Sequence, residues 1–196
     1  FSCAKGESLK VSADLVFKKV DQLQTSAAAG YSATQSSLPF NFTQMNVKLG
    51  TYASEAQVTG VKGVTVNIAR SMNADDAFYA GGSGYMAEPV MAGSDIASLF
   101  TVGGTVDIDL VTKADFVDRF TGHTSTSMVW EFVGPIIAST YAYTFSITCP
   151  KVYFDTTGID VSGAGVISAS VPFKAVWDPT NGYPTLKYLS VNDTNL

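Results

Sequence analysis

The sequence predicts a mainly β fold, an antiparallel β-sandwich or flattened barrel with one short α-helix on its side, and three observations carry this reading. Aromatic and β-branched residues are plentiful, with 12 Phe, 9 Tyr and 17 Gly beside many Val, Thr and Ser, whereas the Leu, Glu, Lys and Arg that fill helices are sparse. Apolar and polar residues alternate in several runs, the period of a strand with one buried face. Only residues 113–120 space their apolar side chains as a helix does. A chain of 196 residues, 46% hydrophobic and 15% charged, is long and apolar enough for a sizeable core.

Taken in order, Leu9, Val11, Ala13, Leu15 and Phe17 alternate with Lys10, Ser12, Asp14, Val16 and Lys18, which predicts a first strand. Residues 25–37 are mostly Ala, Ser, Thr and Gly and read as a loop. Phe40, Phe42 and residues 45–49 predict a strand pair or a bulged strand. Residues 61–70 alternate again, with Val64, Val66 and Ile68 on one face. Residues 71–93 form a connection longer than an ordinary hairpin loop, containing Asp75, Asp76, Gly81, Gly82, Gly84 and Pro89. Ser94 can cap a short helical turn over 94–99 that Gly103-Gly104 stops.

Residues 105–112 show the cleanest alternation, with Val106, Ile108 and Leu110 on one face and Thr105, Asp107 and Asp109 on the other. The helix over 113–120 follows, ended by Gly122, and its Phe116 and Phe120 are expected to pack on Val106, Ile108 and Leu110. Residues 127–133 and 138–149 read as two strands joined at Gly134-Pro135, with Tyr141, Tyr143, Phe145 and Ile147 alternating along the second. In the last third, residues 147–152 read as a strand ending at Pro150, 161–178 as a glycine-started strand, and 186–192 as a short closing strand, together a meander. The total is about nine strands and one helix. Without an internal repeat or linker, residues 1–196 are read as a single domain.

Twelve Lys and Arg against 17 Asp and Glu give a net charge of −5, which argues against a sequence-reading nucleic-acid binder, since phosphate contacts need clustered cations. Cys3 and Cys149 make no metal motif and are read as two reduced thiols, a disulfide being the alternative. No apolar run approaches the roughly 20 residues that span a bilayer, so no membrane insertion is expected. The sole histidine, His123, sits among Thr and Ser without a nucleophile motif and reads as an exposed loop residue. The carboxylate pairs Asp75-Asp76, Asp107 with Asp109, and Asp115 with Asp118 match no calcium loop. Gly81-Gly82-Ser83-Gly84 and Gly163-Ala164-Gly165 lack the lysine of a phosphate loop and read as turns. No catalytic residue, cofactor or metal is expected, and the chain is not read as an enzyme.

The order of the last third, with Ile147-Thr148-Cys149-Pro150-Lys151-Val152, then Val161-Ser162-Gly163-Ala164-Gly165-Val166-Ile167 and then Val171-Pro172-Phe173-Lys174-Ala175-Val176-Trp177-Asp178, resembles the carboxy-terminal part of the tail tube proteins of long-tailed, siphovirus-like bacteriophages. Pro39-Phe40-Asn41-Phe42 and the Asn67-Ile68-Ala69-Arg70 end of a strand extend the similarity more weakly. The resemblance implies a structural virion protein, assembled in the host bacterial cytoplasm, whose copies form hexameric rings that stack into a hollow tail tube. It also implies other tail proteins as partners, double-stranded DNA as non-specific cargo in the lumen, and further chain ahead of Phe1.

On this reading Asp107 and Asp109 are candidates to face the lumen, the other reading of the pair being an ordinary solvated strand face. Asp75, Asp76, Tyr79, Tyr85 and Met86 of the long connection are candidates for an assembly loop. The alternative function is an extracellular β-sandwich binding module, an adhesin or carbohydrate-binding domain, which low charge and abundant Ser, Thr and Tyr suit as well.

Overall fold

The computed structural model describes residues 1–14, 39–70, 100–109, 113–138, 141–155 and 167–189. The chain divides into two compact units, one of residues 1–11, 40–68 and 101–196, the other of 12–39 and 69–100. The first carries the fold described below. The second lies almost wholly outside the described residues, as do the predicted loops at 25–37 and 71–93, the helical turn at 94–99 and the glycine-rich start of the 161–178 strand.

The elements are β1 (Ser2–Ala4), a 3-10 turn (Phe42–Gln44), β2 (Met45–Thr51), β3 (Ser54–Gln57), β4 (Val61–Arg70), β5 (Phe100–Asp109), α1 (Lys113–Thr121), β6 (Thr126–Ala138), β7 (Tyr141–Phe154), β8 (Ser168–Ala175) and β9 (Thr185–Leu189). They form one sheet in the order β1-β4-β5-β8-β7-β6-β2-β3, with β9 paired to β7 off this path. The 14-residue β7 is the spine. It pairs β6 along one side, while β9 takes residues 144–148 and β8 takes residues 152–154 of the other side, all antiparallel. The sheet is not closed into a barrel, which decides between the two predicted architectures.

Instead the sheet turns back on itself around one core. Cys3, Val64, Val66, Val106, Ile108 and Val171 from one half share a single cluster with Val47, Leu49, Trp130, Phe132, Phe145 and Ile147 from the other. Phe1 of the β1 end lies over Phe145 of β7, ring centres 5.5 Å apart. Trp130 meets Phe132 edge-on at 5.2 Å, an arrangement aromatic pairs favour over stacking face to face. Its indole N–H is buried without a partner, which costs roughly 1–3 kcal/mol that the packing of the large ring offsets.

Alternation places the register as expected in β4 and β5. Val64, Val66, Val106 and Ile108 are buried while Asp107 is exposed, and α1 seals this side with Phe116 buried and Phe120 half-buried against the same cluster. Leu110, expected in the same contact, lies outside the described residues. Phe116 reaches across to Phe154 of β7, ring centres 5.2 Å apart. Gly104 permits the close approach of β5 to β4, since a Cβ there would fall 1.8 Å from the Thr65 carbonyl oxygen.

Five expectations need correction, the first being the meander of the last third, since β8 and β9 both pair β7 and not each other. Where a strand was expected from Leu9, the described part makes only isolated bridges, Ser2 to Lys10 and Ser8 to Asn41, and Val11 is 60% exposed. The chain instead starts with β1, whose register Cys3 opposite Val64 buries one face. The segment at 40–49 is neither a strand pair nor a bulged strand but a 3-10 turn leading into β2, capped by Asn41, which accepts from the Thr43 N–H at 3.1 Å while the Gln44 side chain accepts from the Asn41 N–H at 3.0 Å. Gly134-Pro135 does not join two strands, because β6 runs through it and the register with β7 shifts between Val133 and Ile136, as a bulge requires. Nor does Pro150 end a strand: β7 continues to Phe154, and Met128 opposite Cys149 with Thr126 opposite Val152 marks another register shift.

Candidate assembly surface

The pairing of β9 defines the surface. Its register with β7 sets Leu186 opposite Ile147 and Tyr188 opposite Phe145, so both side chains leave the sheet on the face that elsewhere forms the core. Ile147 and Phe145 are buried, yet Leu186 is 50% and Tyr188 59% exposed. The core face therefore runs out from under its cover along β9. By the same alternation Tyr143 and Tyr141 extend it past Phe145, half-buried and 65% exposed respectively.

The other end of this layer is β3, which pairs β2 with Lys48 opposite Gln57 and Thr51 opposite Ser54. Among the described residues, nothing pairs with the outer edges of β9 and β3, whereas β1 is flanked by the bridge to Lys10. Among the described residues, the layer β9-β7-β6-β2-β3 thus has a free edge at each end, one apolar and aromatic, one polar with Ser54, Ala56 and Gln57 exposed. Such edges present unpaired N–H and C=O groups to any strand that can dock there.

Asp107 and Asp109 stand on the outer face of β5, opposite the core. Asp109 forms an ion pair with Lys62 and accepts from Ser168 Oγ at 2.8 Å. The hydrogen bond from Lys62, followed by that from Ser168, holds its carboxyl below the usual carboxylate range. Lys174 is exposed on the neighbouring β8, in register with Gly103, so this face carries lysines beside its carboxylates. Asp75, Asp76, Tyr79, Tyr85 and Met86 lie outside the described residues.

The remaining candidate chemistry is dispersed. His123 is exposed in the turn after α1 with φ 48°. Cys3 and Cys149 are free and buried, and burial pushes the Cys149 thiol up to about 12. Among the described residues, no three His, Cys, Asp or Glu gather as a metal site would need, and no helix is long and apolar enough to cross a membrane. Leu186 and Tyr188 were legible as a strand but not as a surface, because Leu-Lys-Tyr reads alike whether its apolar face is covered or open.

The described residues define the class as an edge-rich antiparallel β-sandwich with an uncovered strand. The sequence profile of the phage tail tube protein family matches residues 1–175, and the chain belongs to that family. This makes it a structural component of the virion tail. Among solved structures, it is similar to the cap that terminates the tube of the anti-feeding prophage, at 12% identity and a TM-score of 0.49 over 84% of this chain and 100% of that one. An Hcp protein is similar at 7% identity and a TM-score of 0.34, over 74% of this chain and 98% of that one. No curated protein sequence matches the chain.

Proposed function

We propose that this chain is the repeating subunit of the tail tube. Six copies close into a ring by laying the β9 edge of one copy against the β3 edge of the next, and the rings stack around a channel through which genome DNA passes. The observation that carries the reading is the uncovered core face at Leu186 and Tyr188 on a free edge, in a chain of the tail tube family. Two different edges meeting head to tail make a heterologous joint, the kind that closes rings when the rotation per copy is right. Burial of Leu186 and Tyr188 in the joint would remove apolar surface from water, at roughly 25 cal/mol per Å². Asp107 and Asp109 are proposed to face the channel, where a surface with balanced charge would let a duplex slide rather than grip its phosphates.

The test is the double substitution Leu186→Asp with Tyr188→Asp. Both side chains are largely exposed, so the isolated subunit should melt as the parent protein does, while sedimentation velocity should show assembly abolished at every salt concentration. Normal assembly of the variant would place the joint elsewhere and remove the basis of this reading.

A further inference from the structure

We propose that the joint between copies is a parallel strand pair held in register by an ion pair from Lys187 of one copy to Glu55 of the next, an inference that rests on the ring reading above. Pairing is antiparallel at each step from β9 through β7, β6 and β2 to β3, so β9 and β3 run in the same direction. Rotation about the tube axis keeps the sense of a strand along that axis. The β9 strand of one copy therefore meets the β3 strand of its neighbour side by side and parallel.

The charges on the two edges are complementary. β9 carries a single charged residue, Lys187, and β3 a single one of opposite sign, Glu55. Both leave the layer on the face away from the core. Lys187 stands opposite Ser146, Ser146 opposite Glu131 and Glu131 opposite Asn46, while Glu55 stands opposite Gly50, four residues further along β2 and so on the same face. Lys187 is exposed and, among the described residues, belongs to no ion pair. Glu55 Oε1 accepts from Ser127 Oγ at 2.5 Å and from the Ala53 N–H at 3.2 Å. Both bonds fall on one oxygen, so the carboxylate is held in place while Oε2, among the described residues, has no partner.

The register of the layer sets how the edges fit. A line across the strands at Lys187 passes Asn46 of β2 and misses β3, whose last residue, Gln57, already stands opposite Lys48. Two copies set level would barely overlap their edges. A stagger of four residues lays 186–189 of β9 along the whole of β3, with faces matched and Lys187 beside Glu55. It is a shift of about 13 Å across a layer about 24 Å wide, a strand tilt of about 30°, close to the roughly 35–45° of closed barrels. The same stagger sets Leu186 beside Ser54 and Tyr188 beside Ala56. Ala56 stands opposite the buried Leu49, so these four side chains share the core face, large apolar ones beside small ones.

The same charges work against the joining of like edges. Two β9 strands related by a two-fold axis at their centre would set Lys187 against Lys187. The occupant of the β9 edge is therefore the β3 edge of a second copy.

Sedimentation velocity at low and high salt compares the parent protein with Lys187→Glu, with Glu55→Lys and with an equimolar mixture of the two variants. Thermal melting of each monomer separates folding from assembly. Each reversal alone should raise the concentration for half assembly about tenfold or more at low salt and less at high salt, since like charges then meet at every joint. The mixture should return to near the parent value, because copies that alternate around an even-numbered ring restore an opposite pair at every joint. If Glu55→Lys fails to fold, Lys187→Glu combined with Glu55→Gln replaces it, keeping the acceptor for Ser127 and Ala53 without the charge, and should assemble better than Lys187→Glu alone. Reversals that assemble as the parent does, or that are impaired without rescue, overturn the ion pair and leave the ring reading to the Leu186 and Tyr188 variant. A parent protein that stays monomeric overturns both.

Discussion

Asp109 leaves β5 on the solvent side, yet its carboxyl is held below the ordinary range, first by the hydrogen bond from Lys62 and then by that from Ser168. A carboxyl whose folded value is depressed contributes stability that is present above its unfolded value, near 3.9, and is lost as pH falls through the folded value. Asp109→Asn should therefore lower the melting temperature slightly at neutral pH. The gap to the parent protein should close as the pH drops below about 4. Melting curves recorded from neutral to acid pH check this, and a gap that persists at the acid end would show that the asparagine acts through packing. At Cys149 the same logic runs the other way, because burial keeps the thiol neutral and its neighbours are apolar core residues.

Among the elements, β4, β5 and α1 were legible because each satisfies a strict local period. Val64 and Val66, then Val106 and Ile108, then Phe116 and Phe120 recur at the spacing that their element demands, and the structure gathers them on one cluster, all buried but Phe120, which is half-buried. The misread elements share a different cause. Gly134-Pro135 has turn chemistry, but the bulge that accommodates it depends on the pairing with β7, which no local pattern encodes. The segment from Leu9 has strand alternation, but the β4 edge is occupied by Ser2–Ala4, a strand too short to announce itself. The open face of β9 escaped for a third reason: exposure belongs to what lies across the sheet and not to the strand. The buried face of β5 supports a direct prediction. Ile108→Asp would bury an unpaired charge among Val106, Phe116 and Val171, at a cost of several kcal/mol against a total stability of about 5–15 kcal/mol. The variant should be insoluble or unfolded on expression. Soluble protein with a cooperative melt would refute the packing.

For the whole molecule, one sheet folded around a single core leaves β9 and β3 as the two ends of a layer, and their unlike chemistry is what a ring of identical copies needs. Family membership makes the chain a component of the tail, and in the proposed ring the free edges are where copies would meet. Electron microscopy of the purified protein, imaged across a range of concentrations, tests this most directly. The account predicts rings with a central hole, stacking into tubes as concentration rises, with six-fold symmetry in end views. Particles that remain single subunits at every concentration, or that pair into closed two-fold dimers, would contradict it.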